Sequence, residues 1–233
     1  MSRISTSTNP GQIIWQIRQA GLTFNTILDV GIRAETPFLK NQFPKSKQFL
    51  FEPMSEWYET IRKNYAELDY ELVECACSNE NGTAEFVAEH KTTDIELPSH
   101  GRMISDSAKS PGSVSVVETI KLDTFIAERG LKGPFFLKVD VDGAEPLVLE
   151  GAVETLKSCD VVVLEMNRRK FLDLASFMHA HGFFVHSISG LAFGRPTENV
   201  LANPDDPGTG LLQCDIFFMP LKYLDDPRVK PTW

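Results

Sequence analysis

Apolar residues follow two rhythms along this chain. Short runs apolar on both faces occupy residues 24–30, 48–52, 71–76, 135–141 and 160–166. Runs of that length and character are expected of parallel strands covered on both sides. Between them, apolar positions recur at helical spacing. Helices are expected at 13–20, 37–43, from Ser55 to about Asn64, 122–129, from Pro146 to about Lys157, and 170–181. Asn9-Pro10 opens the first and Gly21 stops it, Pro37 suits a first turn, and Gly182 closes the last. Further strands are expected at 183–188 and 214–219. Strand and helix alternate with no repeat and no linker. The pattern predicts one α/β domain over residues 1–233, a three-layer sandwich with a mostly parallel sheet.

The middle of the chain breaks that rhythm. Asn79-Glu80-Asn81-Gly82 is turn chemistry, and residues 83–89 alternate like an added strand. Residues 90–112 are polar and include Pro98, Gly101, Pro111 and Gly112. A loop of that length inside a compact domain is expected to be a lid, so 89–113 reads as a lid or substrate loop. A strand resumes at 114–120. Residues 202–210 form a turn-rich connection, residues 1–22 an N-terminal helical segment, and 221–233 a polar tail.

Charge and cysteine usage narrow the function. The net charge of -9 argues against a nucleic-acid partner, which needs a basic footprint. No stretch reaches membrane-span length, and the first ten residues lack a signal-peptide core, so a cytoplasmic protein is expected. Cys75, Cys77, Cys159 and Cys214 form no CxxC pair and no zinc spacing with histidine. They read as buried, reduced thiols. The sequence leaves the oligomeric state open, a homo-oligomer included.

The chemistry sits where strands end. Phe135-Phe136-Leu137-Lys138-Val139 leads straight into Asp140-Val141-Asp142-Gly143-Ala144-Glu145. Side chains alternate along a strand, so Asp140 and Asp142 are expected on one face. In open parallel sheets ligands lie beyond the carboxyl ends of strands. The first strand ends in Asp29-Val30-Gly31, where a glycine lets backbone approach a ligand. The second ends in Glu52-Pro53, with Glu52 about twenty residues past Gly31, the spacing at which an acid meets a ribose. The third ends near Ala76-Cys77, where a base would lie. The fifth supplies Glu165. Asp142 and Glu145 read as braces of a strand-to-helix turn, with Pro146 opening the helix.

These segments resemble a known family. Asp29-Val30-Gly31, Phe51-Glu52-Pro53, Ala76-Cys77-Ser78, Leu122-Asp123-Thr124-Phe125, Lys138-Val139-Asp140-Val141-Asp142-Gly143-Ala144-Glu145 and Val163-Leu164-Glu165 are similar to the FkbM family of S-adenosylmethionine-dependent methyltransferases. The resemblance implies a class I methyltransferase fold, Rossmann-like, with seven strands and an antiparallel last strand. It implies S-adenosylmethionine as cofactor. Asp29 and Gly31 would border its methionine, Glu52 and Pro53 its ribose, Ala76 and Cys77 its adenine, with Asp140 near the donor methyl. The acceptor would be a hydroxyl on a sugar, polyketide or related small molecule, or on a glycan. Two positions depart from the family pattern: Glu35 replaces a glycine, and Asp142 replaces a glutamate. Glu35 is expected to crowd the methionine carboxylate unless Arg33 compensates it.

Proton removal has two routes. Asp140, partnered by Glu165, is the candidate base, with His90 as a second base from the lid. Alternatively Asp140 and Glu165 share a divalent ion, Mg2+ or Ca2+ by their oxygen ligands. Two rivals remain at this stage. A nicotinamide-dependent oxidoreductase or epimerase would want a fuller glycine loop. A binding module of methyltransferase fold, without activity, would fit the lost glycine.

Overall fold

The structure, a computed structural model, describes residues 9–89, 100–103, 113–167, 170–194 and 210–229. Its helices are α1 (Pro10–Gln19), α2 (Pro37–Gln42), α3 (Tyr58–Tyr65), α4 (Leu122–Glu128), α5 (Glu145–Glu150), α6 (Val153–Leu156) and α7 (Phe171–Ala180). Its strands are β1 (Thr26–Val30), β2 (Lys47–Phe51), β3 (Tyr70–Val73), β4 (Ala76–Cys77), β5 (Gly82–Glu89), β6 (His100–Met103), β7 (Ser113–Ile120), β8 (Phe135–Val139), β9 (Cys159–Asn167), β10 (Phe183–Gly194) and β11 (Gly210–Pro220). Among the described residues no helix is long and apolar enough to cross a membrane.

Seven strands form one sheet in the order β10-β11-β9-β8-β1-β2-β3. β1 is parallel to both β2 and β8, and β2 is parallel to β3. β10 and β11 are antiparallel to each other. This is the α/β class I methyltransferase architecture. The chain leaves β1 toward β2 and β3, then returns to place β8 on the other side of β1. That reversal makes a switch point between β1 and β8, where a crevice opens at the strand ends. The register is tight there. Val30 pairs with Phe51 on one side and Val139 on the other. Gly31, Glu52 and Asp140 are therefore each the first residue past the end of three adjacent strands.

Contacts group the chain into two compact units, Thr23–Val162 and Met1–Leu22 with Val163–Trp233. In the first, aromatic side chains lock the helices to the sheet. Phe24, Phe43 and Phe136 meet at 5.3–5.7 Å between ring centroids, and Phe125 of α4 meets Phe49 and Phe51 at 5.2 and 4.9 Å. All five β8 residues are buried. In the second unit, Ile13, Ile14 and Ile17 bury one face of α1, and Ile216, Phe217, Phe218 and Met219 are buried along β11.

Several boundaries differ from those expected. The strand expected at 71–76 splits, because the Cys75 N–H turns back to the Val73 carbonyl at 2.8 Å. Its tail, β4, joins a second sheet of order β4-β7-β5-β6. Ala76 and Cys77 thus pair with Thr119 and Ile120 of β7. The expected loop at 90–112 contains β6, paired antiparallel with β5; residues 90–99 and 104–112, and with them His90, lie outside the described residues. The helix expected from Pro146 to Lys157 is two helices. Asp123 of α4 caps the second, accepting from the Glu154 and Thr155 N–H groups at 3.0 and 2.7 Å. At the break, a Cβ on Gly151 would lie 2.0 Å from the Ser78 carbonyl oxygen. β8 stops at Val139, two residues short of expectation. Asp140 and Asp142 are therefore past the strand, and Asp142 adopts φ +48°. The alternation that would put both on one face no longer applies.

Candidate cofactor and active site

Lys138 is the one charged residue of β8, and it is buried. Register sets it beside Asp29 on β1. Its ammonium lies 3.3 Å from Asp29 Oδ1 and 3.2 Å from Asp140 Oδ2, and it donates to the Gly31 carbonyl at 3.3 Å. Burial works against its charge, yet the Asp29 and Asp140 carboxylates hold Lys138 above the ordinary lysine value.

Asp29 is fully buried, and burial raises its pKa, with Lys138 and Thr36 pulling the other way. Among the described residues neither of its oxygens receives a well-aligned hydrogen bond; the contact with Lys138 is an ion pair. A buried acceptor left short of donors is costly in isolation. It suits a cationic or N–H-bearing ligand group.

Glu52 follows β2 and is also buried, at 4% exposure. Its Oε2 accepts from the Arg33 N–H at 2.8 Å and its Oε1 from the Met54 N–H at 2.9 Å. Burial pushes its pKa up to about 7 against the pull of these two bonds. Each oxygen retains a lone pair, so the carboxylate can still take two hydroxyl donors. That number matches a ribose.

The loop after β1 is shaped by close approach. Gly31 has φ +77°, and a Cβ there would lie 1.8 Å from the Asp140 carbonyl oxygen. Arg33 also takes a left-handed conformation, φ +56°, with its N–H tied to Glu52. Its guanidinium lies 5.0 Å over the Trp57 ring rather than on Glu35. Lys40 pairs with Glu35 instead, so the extra acid is compensated by α2 and not by Arg33. Tyr65, fully buried, accepts from the Thr36 N–H at 3.0 Å and braces the start of α2.

Across the crevice, Glu145 braces the turn after β8. Its Oε1 accepts from the Val141 and Gly143 N–H groups at 3.3 and 2.9 Å. The Asp140 side chain is 36% exposed. Lys138 is the only group among the described residues that holds its carboxylate. The sequence-expected residues Asp29, Gly31, Glu52 and Asp140 therefore converge at three adjacent strand ends, with Pro53 beside Glu52 and Ala76 and Cys77 buried just beyond β3. Glu165, in the other unit, accepts from Gln213 at 2.7 Å. No group of three or more His, Cys, Asp or Glu among the described residues is placed to hold a metal ion. All four cysteines are free and buried. His186 is engaged on both ring nitrogens, by the Val229 carbonyl and the Ser187 hydroxyl at 2.8 Å each.

Sequence reasoning quoted Lys138 as part of a motif but gave no role to it, to Thr36 or to Tyr65. The first was findable: a lysine inside an otherwise apolar buried run needs a carboxylate partner. Tyr65 carried no such signal, since an aromatic on a helix reads as core.

A sequence profile described as the methyltransferase FkbM domain matches residues 29–185. The 2-O-methyltransferase NoeI of Sinorhizobium fredii is 29% identical over 160 residues, covering 63% of this chain and 65% of NoeI. The chain thus spans slightly under two thirds of that relative's length. Among solved structures, precorrin-6y C5,15-methyltransferase of Geobacter metallireducens aligns with a TM-score of 0.46 at 14% identity, covering 94% of this chain and 90% of that one. A precorrin 8w decarboxylase of Methanobacterium thermoautotrophicum aligns with a TM-score of 0.47 at 12% identity, covering 92% of each.

Proposed function

The chain belongs to the FkbM methyltransferase family, and from that premise we propose that it moves a methyl group from S-adenosylmethionine to a hydroxyl oxygen of a small-molecule or glycan acceptor. One observation carries the reading of the site: Gly31, Glu52 and Asp140 stand in register at three adjacent strand ends, with the buried carboxylates of Asp29 and Glu52 still able to accept hydrogen bonds. The hydroxyl acceptor is supported by NoeI, which is named a 2-O-methyltransferase.

S-adenosylmethionine supplies a methyl group on a sulfonium, already activated for displacement. The chain has to bind, align and deprotonate. Glu52 would take the two ribose hydroxyls, and Pro53 with Ala76 and Cys77 would border the adenine. Gly31, having no side chain, leaves room for the thread between ribose and methionine. Asp29 would face the methionine ammonium. Asp140 would accept the proton of the acceptor hydroxyl. An ordinary carboxylate is a weak base at neutral pH. Alignment is therefore the larger contribution, worth about 7–11 kcal/mol when reacting atoms are held in line.

Calorimetry with S-adenosylmethionine, S-adenosylhomocysteine and NAD tests the cofactor, with binding of the first two alone expected. Label from methyl-labelled S-adenosylmethionine should then appear on oxygen in a panel of hydroxylated saccharides, located by mass spectrometry. Label found on nitrogen or carbon would refute the acceptor assignment.

A further inference from the structure

A lysine in the middle of a buried strand is expensive. Taking an ammonium out of water costs several kcal/mol even after relaxation, and an apolar residue of similar size is often at least as stable. Every other β8 residue is apolar and buried. Stability alone would not place Lys138 here.

Its surroundings account for it. Three oxygens, Asp29 Oδ1, Asp140 Oδ2 and the Gly31 carbonyl, lie 3.2–3.3 Å from one ammonium that has three donors. Two of those oxygens belong to carboxylates on opposite sides of the switch point. Asp140 has left the strand, its side chain is partly exposed, and no other described residue fixes it. We infer that Lys138 is a positioning residue: by sharing one buried ammonium between Asp29 and Asp140, it holds the Asp140 carboxylate toward the donor methyl and ties it to the cofactor side of the crevice. This rests on the proposed placement of Asp140 beside that methyl.

The test needs no acceptor. Sinefungin carries an amino group where S-adenosylmethionine carries its transferable methyl, and S-adenosylhomocysteine carries nothing there. The ratio of their affinities reads how well a carboxylate is aimed at the methyl position. The wild-type protein should prefer sinefungin by about tenfold, the worth of a charge-assisted hydrogen bond, and Asp140→Asn should lose that preference. Lys138→Met should lose it too, while Lys138→Arg keeps most of it. Plain electrostatics predicts the reverse for Lys138→Met, because deleting a neighbouring cation strengthens the pull of Asp140 on an amine. A preference kept or enlarged in folded Lys138→Met therefore overturns the inference. So does a fall in both affinities with their ratio unchanged, the mark of a merely structural lysine. If Lys138→Met does not fold, the double variant Asp29→Asn/Lys138→Met, compared with Asp29→Asn, removes the stranded carboxylate and gives the same two outcomes. A wild type that binds neither compound would instead defeat the cofactor reading itself. One that binds both without preference would defeat the placement of Asp140, and the role of Lys138 with it.

Discussion

Burial lifts the Glu52 carboxyl to about 7, and two consequences follow. Between about pH 4.5 and pH 7 the native protein holds a proton on Glu52 that the unfolded chain, with glutamate near its ordinary 4.5, has already released. The Glu52 contribution to stability therefore falls as pH rises from about 4.5 to about 7 and is level above that. The size of this contribution is on the order of 3 kcal/mol. Glu52→Gln should flatten that slope in urea unfolding measured at pH 5 and pH 7.5. Ribose hydroxyls donate to the ionised form, so S-adenosylmethionine affinity should rise with pH through about 7 in the wild type and stay flat in Glu52→Gln. Equal slopes in the two proteins would contradict the placement. Gly31 gives a second residue-scale prediction. A methyl there would meet the Asp140 carbonyl at 1.8 Å, in a left-handed conformation that alanine resists. Gly31→Ala should cost at least about 2 kcal/mol and abolish S-adenosylhomocysteine binding; an unchanged melting temperature would contradict the geometry. The placement of Asp29, Glu52 and Asp140 near adjacent strand ends was legible in the sequence because each is an acid at the end of an apolar run. The pairing of Glu35 with Lys40 was not, since it depends on where α2 folds back.

Elements were legible where local pattern decides them and misread where distant partners do. β1, β2 and β8 stand close to their apolar runs, because a fully buried parallel strand leaves little choice of composition. The second sheet was missed because β4 is two residues long and is defined by pairing with β7, more than forty positions away. The break between α5 and α6 was missed for the same reason. The first turn of α6 is held by Asp123, which lies 31 residues before Glu154. Asp123 belongs to the Leu122-Asp123-Thr124-Phe125 segment that marked the family resemblance, and here it acts as a helix cap built from another helix. Asp123→Ala leaves the Thr155 N–H and hydroxyl without their acceptor, which lies 2.7 and 2.8 Å away. It should cost about 1–2 kcal/mol, lowering the melting temperature by several degrees with cofactor affinity unchanged. A variant that loses affinity but not stability would place Asp123 in the site instead.

For the whole molecule, membership in the FkbM family and the strand-end geometry of the described residues support the proposed nucleoside cofactor at the β1–β8 crevice. The Lys138 ammonium already occupies Asp140, which leaves that carboxylate a poor ligand for a divalent ion. Excess EDTA should therefore leave methyl transfer unchanged, and inhibition restored by Mg2+ would revive the metal route. The net charge of -9 opposes polyphosphate acceptors. Uncharged saccharides should accept methyl in preference to RNA when both are offered at low salt.

The most direct measurement is a crystal structure with S-adenosylhomocysteine bound. The ribose hydroxyls should lie on Glu52, the methionine chain should pass Gly31 with its ammonium toward Asp29, and the sulfur should face Asp140. Density for the ligand away from these strand ends, or a ribose that leaves Glu52 untouched, would contradict that placement.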